Sequence, residues 1–212
     1  ICAAGISAAA PATVNAMDWG GVVGTVLGGA IAYKEVDAYV HYVNDTEEGR
    51  QAYYQEMKDS MGVNYDEYHN TMLDTLMNNL TEGVTAHDAT IQDKPFLYFL
   101  NNDKSFNASC GLGHVMTVNT GLFRISDNID EVAFVIGHEM GHGMKNHSLK
   151  GTQKKMRTII GASIAAEAMG GGATANIAMS ALVGQINNIQ ITKKQEWEAD
   201  NLSFDYCYSA GY

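Results

Sequence analysis

The sequence predicts an α+β fold that is mainly helical and contains one small β-sheet. After Asp45, two stretches combine helix-capping residues with apolar residues at helical spacing. Two short runs beyond Pro95 are rich in aromatic and β-branched residues, which is typical of strands. A third helical pattern begins at Ser126. At 212 residues, the chain is long enough for one domain with a sizeable core.

The first two predicted helices follow one another directly along the chain. Asp45 stands three residues before Glu48, in a pattern like a capping box, and Asn64 with Glu67 repeats this start signal. In the second helix, we expect an apolar stripe with four-residue spacing to face the core: Tyr68, Met72, Leu76 and Leu80.

The predicted sheet comes from the runs FLYFL, which begins at Phe96, and HVMTVNTGLF, which begins at His114. A link rich in turn-forming residues separates them, so we expect neighbouring strands. We divide the chain into residues 1–45, interpreted as the remnant of an export signal with a Gly/Ala-rich segment, and a domain over residues 46–212.

Composition excludes several classes of partner and site. The formal net charge is -11, and the 13 lysines and arginines form no basic stripe, so neither nucleic acid nor an anionic membrane surface is an expected partner. Cys2, Cys110 and Cys207 form no CxxC pair, which excludes a thiolate zinc site and a disulfide scaffold. Buried thiols are the favoured interpretation, and a bridge between Cys2 and Cys207 is the alternative.

Two apolar runs resemble membrane spans only superficially. The run Gly20–Tyr33 is too short to cross a bilayer as a helix. The run Thr158–Gly184 is long enough, but it contains Glu167, Asn176 and three consecutive glycines at 170–172. We interpret it as two Ala-rich helices around a glycine turn, with peripheral membrane association of this hairpin as an alternative.

The helical pattern after Ser126 contains the run VIGHEMGHGMKNH. His138 and His142 are four residues apart, so both imidazoles lie on one side of a helix and can share one ion. Glu139 is rotated by about 100° from His138, where it can reach a water molecule held on that ion. This HExxH spacing predicts a metal-dependent hydrolase, whereas the alternative is a helix that simply packs. The apolar face expected to orient it comprises Val132, Ala133, Ile136 and Met140.

A zinc hydrolase usually has three protein ligands, and the third candidate lies downstream in KKQEWEADNLSFDYC. Glu196 and Asp200 are four residues apart on a helical face that continues through small residues. We expect that face to lie against Gly137 and Gly141 on the first helix. Glu198 competes for the ligand role, but it is rotated by about 200° from Glu196 and should point away. A solvated acidic face is the alternative for the whole segment. The small residues of the face are Ala199, Ser203 and Cys207.

The segment GHEMGHGMKNHS followed by EWEAD resembles the gluzincin metallopeptidases of family M48, the group of HtpX-like and CAAX-prenyl-protease-like zinc peptidases. The resemblance covers roughly residues 47–212 and extends to FNASCGLGHVMTVNTGLFRISDNIDEVAFVIGHEMGH and to SAGY. It implies a zincin-like domain with one zinc ion per chain. The roles that it implies are zinc binding by His138, His142 and Glu196, catalysis by Glu139 as general base, and orientation of a histidine by Asp200.

We expect the chain to hydrolyse peptide bonds in extended or unfolded protein segments. If the run from Asn107 to Val118 is an edge strand, a polypeptide can pair with its backbone, notably at Asn107, Gly113, His114 and Val115. Candidates for stabilising the oxyanion are His114, Tyr208 and Tyr212. His147 is about 140° from the ligand face, which favours capping or packing over metal binding. Two alternatives are a non-catalytic, chaperone-like zinc module that binds peptides and a metal-dependent hydrolase of other substrates.

The expected location is outside the bacterial cytoplasm, in the periplasm or at the cell surface. The N-terminal run ICAAGISAAAPATVNAMDW is uncharged and rich in small residues, like the end of a secretory signal. Glycosylation sequons at Asn107, Asn146 and Asn201 fall inside the candidate site segments, where glycans would block the cleft. This favours a bacterial protein over a eukaryotic secreted one. The sequence indicates no oligomeric state.

Overall fold

The computed structural model of the protein describes residues 29–168 and 191–212, with side chains over 37–158 and 191–212. Within these residues the fold is mainly helical with one three-stranded sheet, which confirms the predicted α+β class. Cys2, the N-terminal segment 1–28 and the predicted glycine turn at 170–172 lie outside the described residues. The helices are α1 (Gly29–Asp45), α2 (Glu47–Met61), α3 (Glu67–His87), α4 (Thr120–Ile125), α5 (Ile129–Met144), α6 (His147–Ala168) and α7 (Lys193–Ala210). The strands are β1 (Leu97–Asn101), β2 (Ala108–Cys110) and β3 (Val115–Asn119).

The caps of α2 and α3 lie slightly later than the sequence pattern predicted. Asp45 is the last residue of α1, so its backbone is helical, and Thr46 caps α2 by accepting a hydrogen bond from the Gly49 N–H at 3.0 Å. Asp66 caps α3, while Asn64 accepts from the Asp66 N–H at 2.8 Å and forms the turn before it. The predicted capping roles of Asp45 and Asn64 were therefore wrong, because Thr46 and Asp66 cap the two helices.

The buried face of α3 differs from the predicted stripe at its N-terminal end. Leu76 and Leu80 are buried, but Tyr68 is 68% exposed. A strict four-residue row drifts by about 40° per step around a helix, so its ends cannot face one core. The buried residues instead alternate three- and four-residue steps: Leu73, Leu76, Met77, Leu80 and Val84.

The sheet has the order β1-β3-β2, with β1 parallel and β2 antiparallel to the central β3. The prediction of one edge strand from Asn107 to Val118 was wrong, because Gly113 (φ 64°) and His114 (φ 58°) adopt left-handed backbone and reverse the chain. Val115 therefore begins the central strand, where it pairs with Leu97 on one side and accepts a hydrogen bond from the Gly111 N–H on the other, which excludes it from pairing with a substrate. Of this run, only β2 and the adjoining Asn107 lie at the sheet edge.

Buried polar groups anchor the turn between β2 and β3. Arg50 is 3% exposed, and its Nε donates to the Gly113 carbonyl at 2.7 Å. The Gly113 N–H donates to the side chain of Asn44 at 3.0 Å. Asn44 belongs to α1, whose Val40 and Val43 are buried in the same core cluster as β3. The helix immediately before residue 46 thus packs with the domain, and the boundary at that residue stays a prediction.

Two further predictions concern cysteines and membrane spans. Cys110 and Cys207 are buried, as the favoured interpretation expected, whereas Cys2 of the alternative bridge lies outside the described residues. Over the two described ranges, every helix is too short or too polar to traverse a lipid bilayer.

Candidate metal centre

Helix α5 carries the HExxH segment and is fixed by its cap and its apolar face. The Asn128 side chain accepts a hydrogen bond from the Asp130 N–H at 3.0 Å, and acidic residues in the first turn complement the helix dipole. All four residues predicted to face the core are at most 2% exposed: Val132, Ala133, Ile136 and Met140. Burial of this face leaves the two histidines on the flank that meets α7.

Helix α7 supplies the downstream carboxylates from a fixed first turn. Thr192 and Gln195 form a reciprocal capping box, in which the Gln195 N–H donates to Thr192 Oγ1 at 3.3 Å and the Thr192 N–H donates to Gln195 Oε1 at 2.9 Å. Glu196 follows directly and therefore starts from an ordered backbone.

Small residues let α5 and α7 approach closely, as the sequence predicted. A Cβ atom on Gly137 would lie 2.8 Å from Ser203 Oγ, and one on Gly141 would lie 3.2 Å from the Cα of Ala199. Ala199 and Ser203 are both 0% exposed. The Ser203 hydroxyl also donates to the Phe134 carbonyl of α5 at 2.6 Å. The predicted face of α7 is thus the one that touches α5.

His138, His142 and Glu196 converge at this contact. His138 Nε2 lies 2.9 Å from His142 Nε2 and 3.4 Å from Glu196 Oε2, and the third distance, from His142 Nε2 to Glu196 Oε2, is 3.9 Å. The circle through three atoms with these separations has a radius of about 2.0 Å, close to zinc–nitrogen and zinc–oxygen bond lengths. Two imidazoles and one carboxylate are also a common donor set of catalytic zinc. The donors present therefore fit a zinc ion.

Asp200 contacts the first of these histidines from behind. Its Oδ1 lies 2.8 Å from His138 Nδ1, so the carboxylate accepts a hydrogen bond from the N–H at that nitrogen. This hydrogen bond leaves the Nε2 lone pair of His138 directed at the metal position and fixes the ring orientation.

Glu139 is held by the edge strand. Its Oε2 accepts a hydrogen bond from the Cys110 N–H at 2.9 Å, and the Cys110 carbonyl accepts one from the Ser148 hydroxyl at 2.7 Å. Burial raises the pKa of Glu139 to about 8, although the Cys110 N–H opposes this effect by stabilising the carboxylate. Because a neighbouring cation favours the charged form, a bound metal would lower this pKa.

Comparisons with known proteins agree with this geometry. The profile of "Peptidase family M48" matches residues 69–212. This chain belongs to peptidase family M48. The family was predicted from the paired motifs and is confirmed. The chain is 35% identical to the Metalloprotease LoiP of Escherichia coli (strain K12) over 136 residues, which are 62% of this chain and 52% of that protein.

Two relatives with lower sequence identity share one name. The chain is 25% identical to the Beta-barrel assembly-enhancing protease of Yersinia pestis over 167 residues, which are 76% of this chain and 33% of that protein. It is 27% identical to the protein of the same name in Escherichia coli (strain K12) over 150 residues, which are 66% of this chain and 30% of that protein. The matched segments thus span 30% to 52% of the length of these three relatives.

His147 occupies an unexpected position in this M48 site. Its Nδ1 lies 2.8 Å from His142 Nδ1, and its Nε2 lies 3.2 Å from Glu198 Oε2. This placement arises because α5 ends at Met144 and Asn146 adopts left-handed backbone (φ 52°), which turns the chain so that α6 begins with His147 behind His142. Glu198 therefore contacts His147 and is not one of the three converging donors, in agreement with the preference for Glu196.

None of the three candidate oxyanion donors is available at the metal position. His114 Nδ1 is bonded to the Lys94 carbonyl at 2.8 Å, and burial lowers the pKa of this ring to about 4. The Tyr212 hydroxyl accepts from the side chain of Asn79 at 2.9 Å. Tyr208 is 76% exposed, and it lies about 18 Å along α7 from Glu196 at 1.5 Å per residue.

Sequence reasoning missed two features of the M48 site. The backbone of Cys110 reaches Glu139, which no side-chain pattern reveals. The contact of His147 with Glu198 depends on the turn at Asn146, and asparagine directly after a helical pattern is a signal that could have indicated this turn.

Proposed function

We propose that this chain is a zinc-dependent endopeptidase that cleaves extended or unfolded segments of proteins. The observation that carries the proposal is the convergence of His138, His142 and Glu196 on one position, with Glu139 beside the two histidines in sequence. Membership of family M48 and the protease names of its relatives support it.

Each residue of the site has a separate role in the proposed peptide-bond hydrolysis. A zinc ion bound by the three donors supplies Lewis acidity and makes a water molecule acidic near neutral pH. Glu139 accepts the proton of the attacking water and delivers it to the leaving amine. The Cys110 N–H keeps the Glu139 carboxylate in place through this transfer. Asp200 keeps His138 in the tautomer that can bind metal.

The edge strand provides a backbone for an extended substrate. The Gly111 N–H donates to the Val115 carbonyl and the Asn119 N–H donates to the Asn107 carbonyl, so β3 covers one edge of β2 and the opposite edge faces away from the sheet. We propose that a substrate strand pairs there, next to the residue that holds Glu139. Main-chain pairing selects extended conformation more than sequence.

The location that we propose is extracytoplasmic, with a role in protein quality control. The small-residue N-terminal run supports export, and the bacterial relatives support a bacterial source. Fractionation of cells that express the native gene should place the protein in the periplasm or at the cell surface, and recovery in the cytoplasm would contradict export. Flotation with phospholipid vesicles tests peripheral membrane association.

The central experiment compares wild-type protein with Glu139→Gln. Both proteins should contain one zinc ion by metal analysis, and only the wild type should cleave an unfolded casein substrate. Chelation should stop cleavage, and added zinc should restore it.

Three outcomes would redirect the proposal. Full activity of Glu139→Gln would remove this residue from the role of base. A zinc-loaded wild type that binds unfolded protein without cleaving it would favour the chaperone-like module. Turnover of a small ester or amide without cleavage of casein would favour another hydrolase.

A further inference from the structure

A chain of hydrogen bonds extends from the far side of the His142 ring, away from Glu196, through the buried His147 to the partly exposed Glu198. It runs from His142 Nδ1 to His147 Nδ1 at 2.8 Å, and from His147 Nε2 to the carboxylate of Glu198 at 3.2 Å. His147 is 1% exposed, and its ring meets that of His142 edge-on at a centroid distance of 4.9 Å. The three residues come from α5, α6 and α7 in turn.

One proton arrangement satisfies every contact in this chain. If His142 binds metal through Nε2, its proton must be on Nδ1, which then donates to His147 Nδ1. His147 must accept at that nitrogen, so its own proton is on Nε2, where the Glu198 carboxylate accepts it. The opposite tautomer of His147 would place two N–H groups against each other and leave the carboxylate without a donor.

We propose that His147 and Glu198 are positioning residues that fix the tautomer and ring orientation of His142 for metal binding. This inference rests on the proposed function, because it assigns a metal to His142. Asp200 acts directly on His138, whereas Glu198 acts on His142 through an intervening imidazole. Both carboxylates come from α7, so the helix that supplies Glu196 also orients both histidines.

The chemistry of Glu198 distinguishes this role from packing. Its side chain is 44% exposed, so it adds little to the core, and only its contact with the buried His147 links it to the site. A buried histidine needs an acceptor for its N–H in any role, so the contact that ties His147 to the metal position is its hydrogen bond with His142 Nδ1. Removing an outer partner of a metal-binding histidine typically lowers metal affinity by about 10 to 100-fold.

Zinc affinity of the purified protein, measured by competition with a chelating dye, tests the proposal. Glu198→Ala and His147→Phe should each bind zinc about 10 to 100-fold more weakly than wild type. Glu198→Gln retains an acceptor oxygen without the charge and should lose less. Asp205→Asn removes an exposed carboxylate from the same helix, and this control should leave the affinity unchanged.

Nitrogen-15 NMR of the zinc-loaded protein supplies a readout that packing would not change. In wild type, His142 should show a protonated Nδ1 and a metal-bound Nε2, and His147 should show a single tautomer with its proton on Nε2. In Glu198→Ala, the His147 ring loses its acceptor and should exchange between tautomers. Wild-type zinc affinity and an unchanged His147 spectrum in Glu198→Ala would overturn the proposal. A lower melting temperature of the metal-free variant with unchanged affinity would assign these residues to packing alone.

The variants still test the proposal if one of them does not fold. Should His147→Phe not fold, the two Glu198 variants decide the question, because that side chain is half exposed. If wild type binds zinc but cleaves no substrate, the proposed function fails and the positioning role stands or falls on affinity. If wild type binds no zinc, both proposals fail.

Discussion

Replacing Gly137 with alanine should destabilise the protein, although alanine favours a helix. The new Cβ would lie 2.8 Å from Ser203 Oγ, well inside normal contact, and Ser203 cannot rotate away without breaking its 2.6 Å hydrogen bond to the Phe134 carbonyl. Overpacking of this kind costs about 1–3 kcal/mol. The higher helix propensity of alanine than of glycine offsets about 1 kcal/mol of this cost. The expected net loss is about 1 kcal/mol in the free energy of unfolding, which lowers the melting temperature by about 2–4 °C.

A double variant isolates the cause of that loss. The remaining neighbours of the added Cβ are Cys207 Sγ at 3.4 Å and the Ser203 Cα at 3.5 Å, which are ordinary contacts. In the Ser203→Ala background, Gly137→Ala should therefore be neutral or stabilising. Urea unfolding of the four proteins in the cycle gives the coupling energy, which we expect to be about 1–2 kcal/mol. Stabilisation by Gly137→Ala alone would show that α5 and α7 do not approach this closely.

Further predictions concern the site. In metal-free protein, burial raises the pKa of Glu139 from its ordinary value of 4.5 to about 8, so between these pH values the folded state retains a proton that the unfolded state releases. The stability that this group contributes is lost as pH rises through that window. Urea unfolding should therefore show that the free energy of unfolding of Glu139→Gln, relative to that of wild type, is higher at pH 8 than at pH 5. In zinc analysis, Glu196→Ala should be nearly empty, whereas Asp200→Ala should bind about 10 to 100-fold more weakly; equal occupancy of both would contradict the assigned roles.

Local pattern was sufficient to predict the contact that builds the site. Gly137 and Gly141 on one helix and the small face around Ala199 on the other predicted the pairing of α5 with α7, because small residues at helical spacing permit close approach. Periodicity also predicted which side of α5 is buried.

The failures arise where the chain departs from regular geometry. The reversal at Gly113 and His114 depends on anchoring by Arg50 and Asn44, which are distant in sequence and visible only in the fold. The position of His147 depends on one left-handed residue, and a helical wheel assumes that no such residue intervenes. Contacts made by backbone atoms, such as that of the Cys110 N–H with Glu139, cannot be predicted from the residue type, because every residue except proline carries the same N–H group.

The pairing of α5 with α7 also bears on how the chain folds. His138 and its partner Asp200 are 62 residues apart, so an ion shared by these helices acts as a cross-link across a long stretch of chain. In the chain-entropy treatment, a permanent link across a loop of that length lowers the free energy of folding by about 4 kcal/mol, through the conformations that it removes from the unfolded chain. A metal at this position would therefore stabilise the fold as well as support catalysis. A newly made chain would gain its activity and its stability against unfolding together, when it binds the ion.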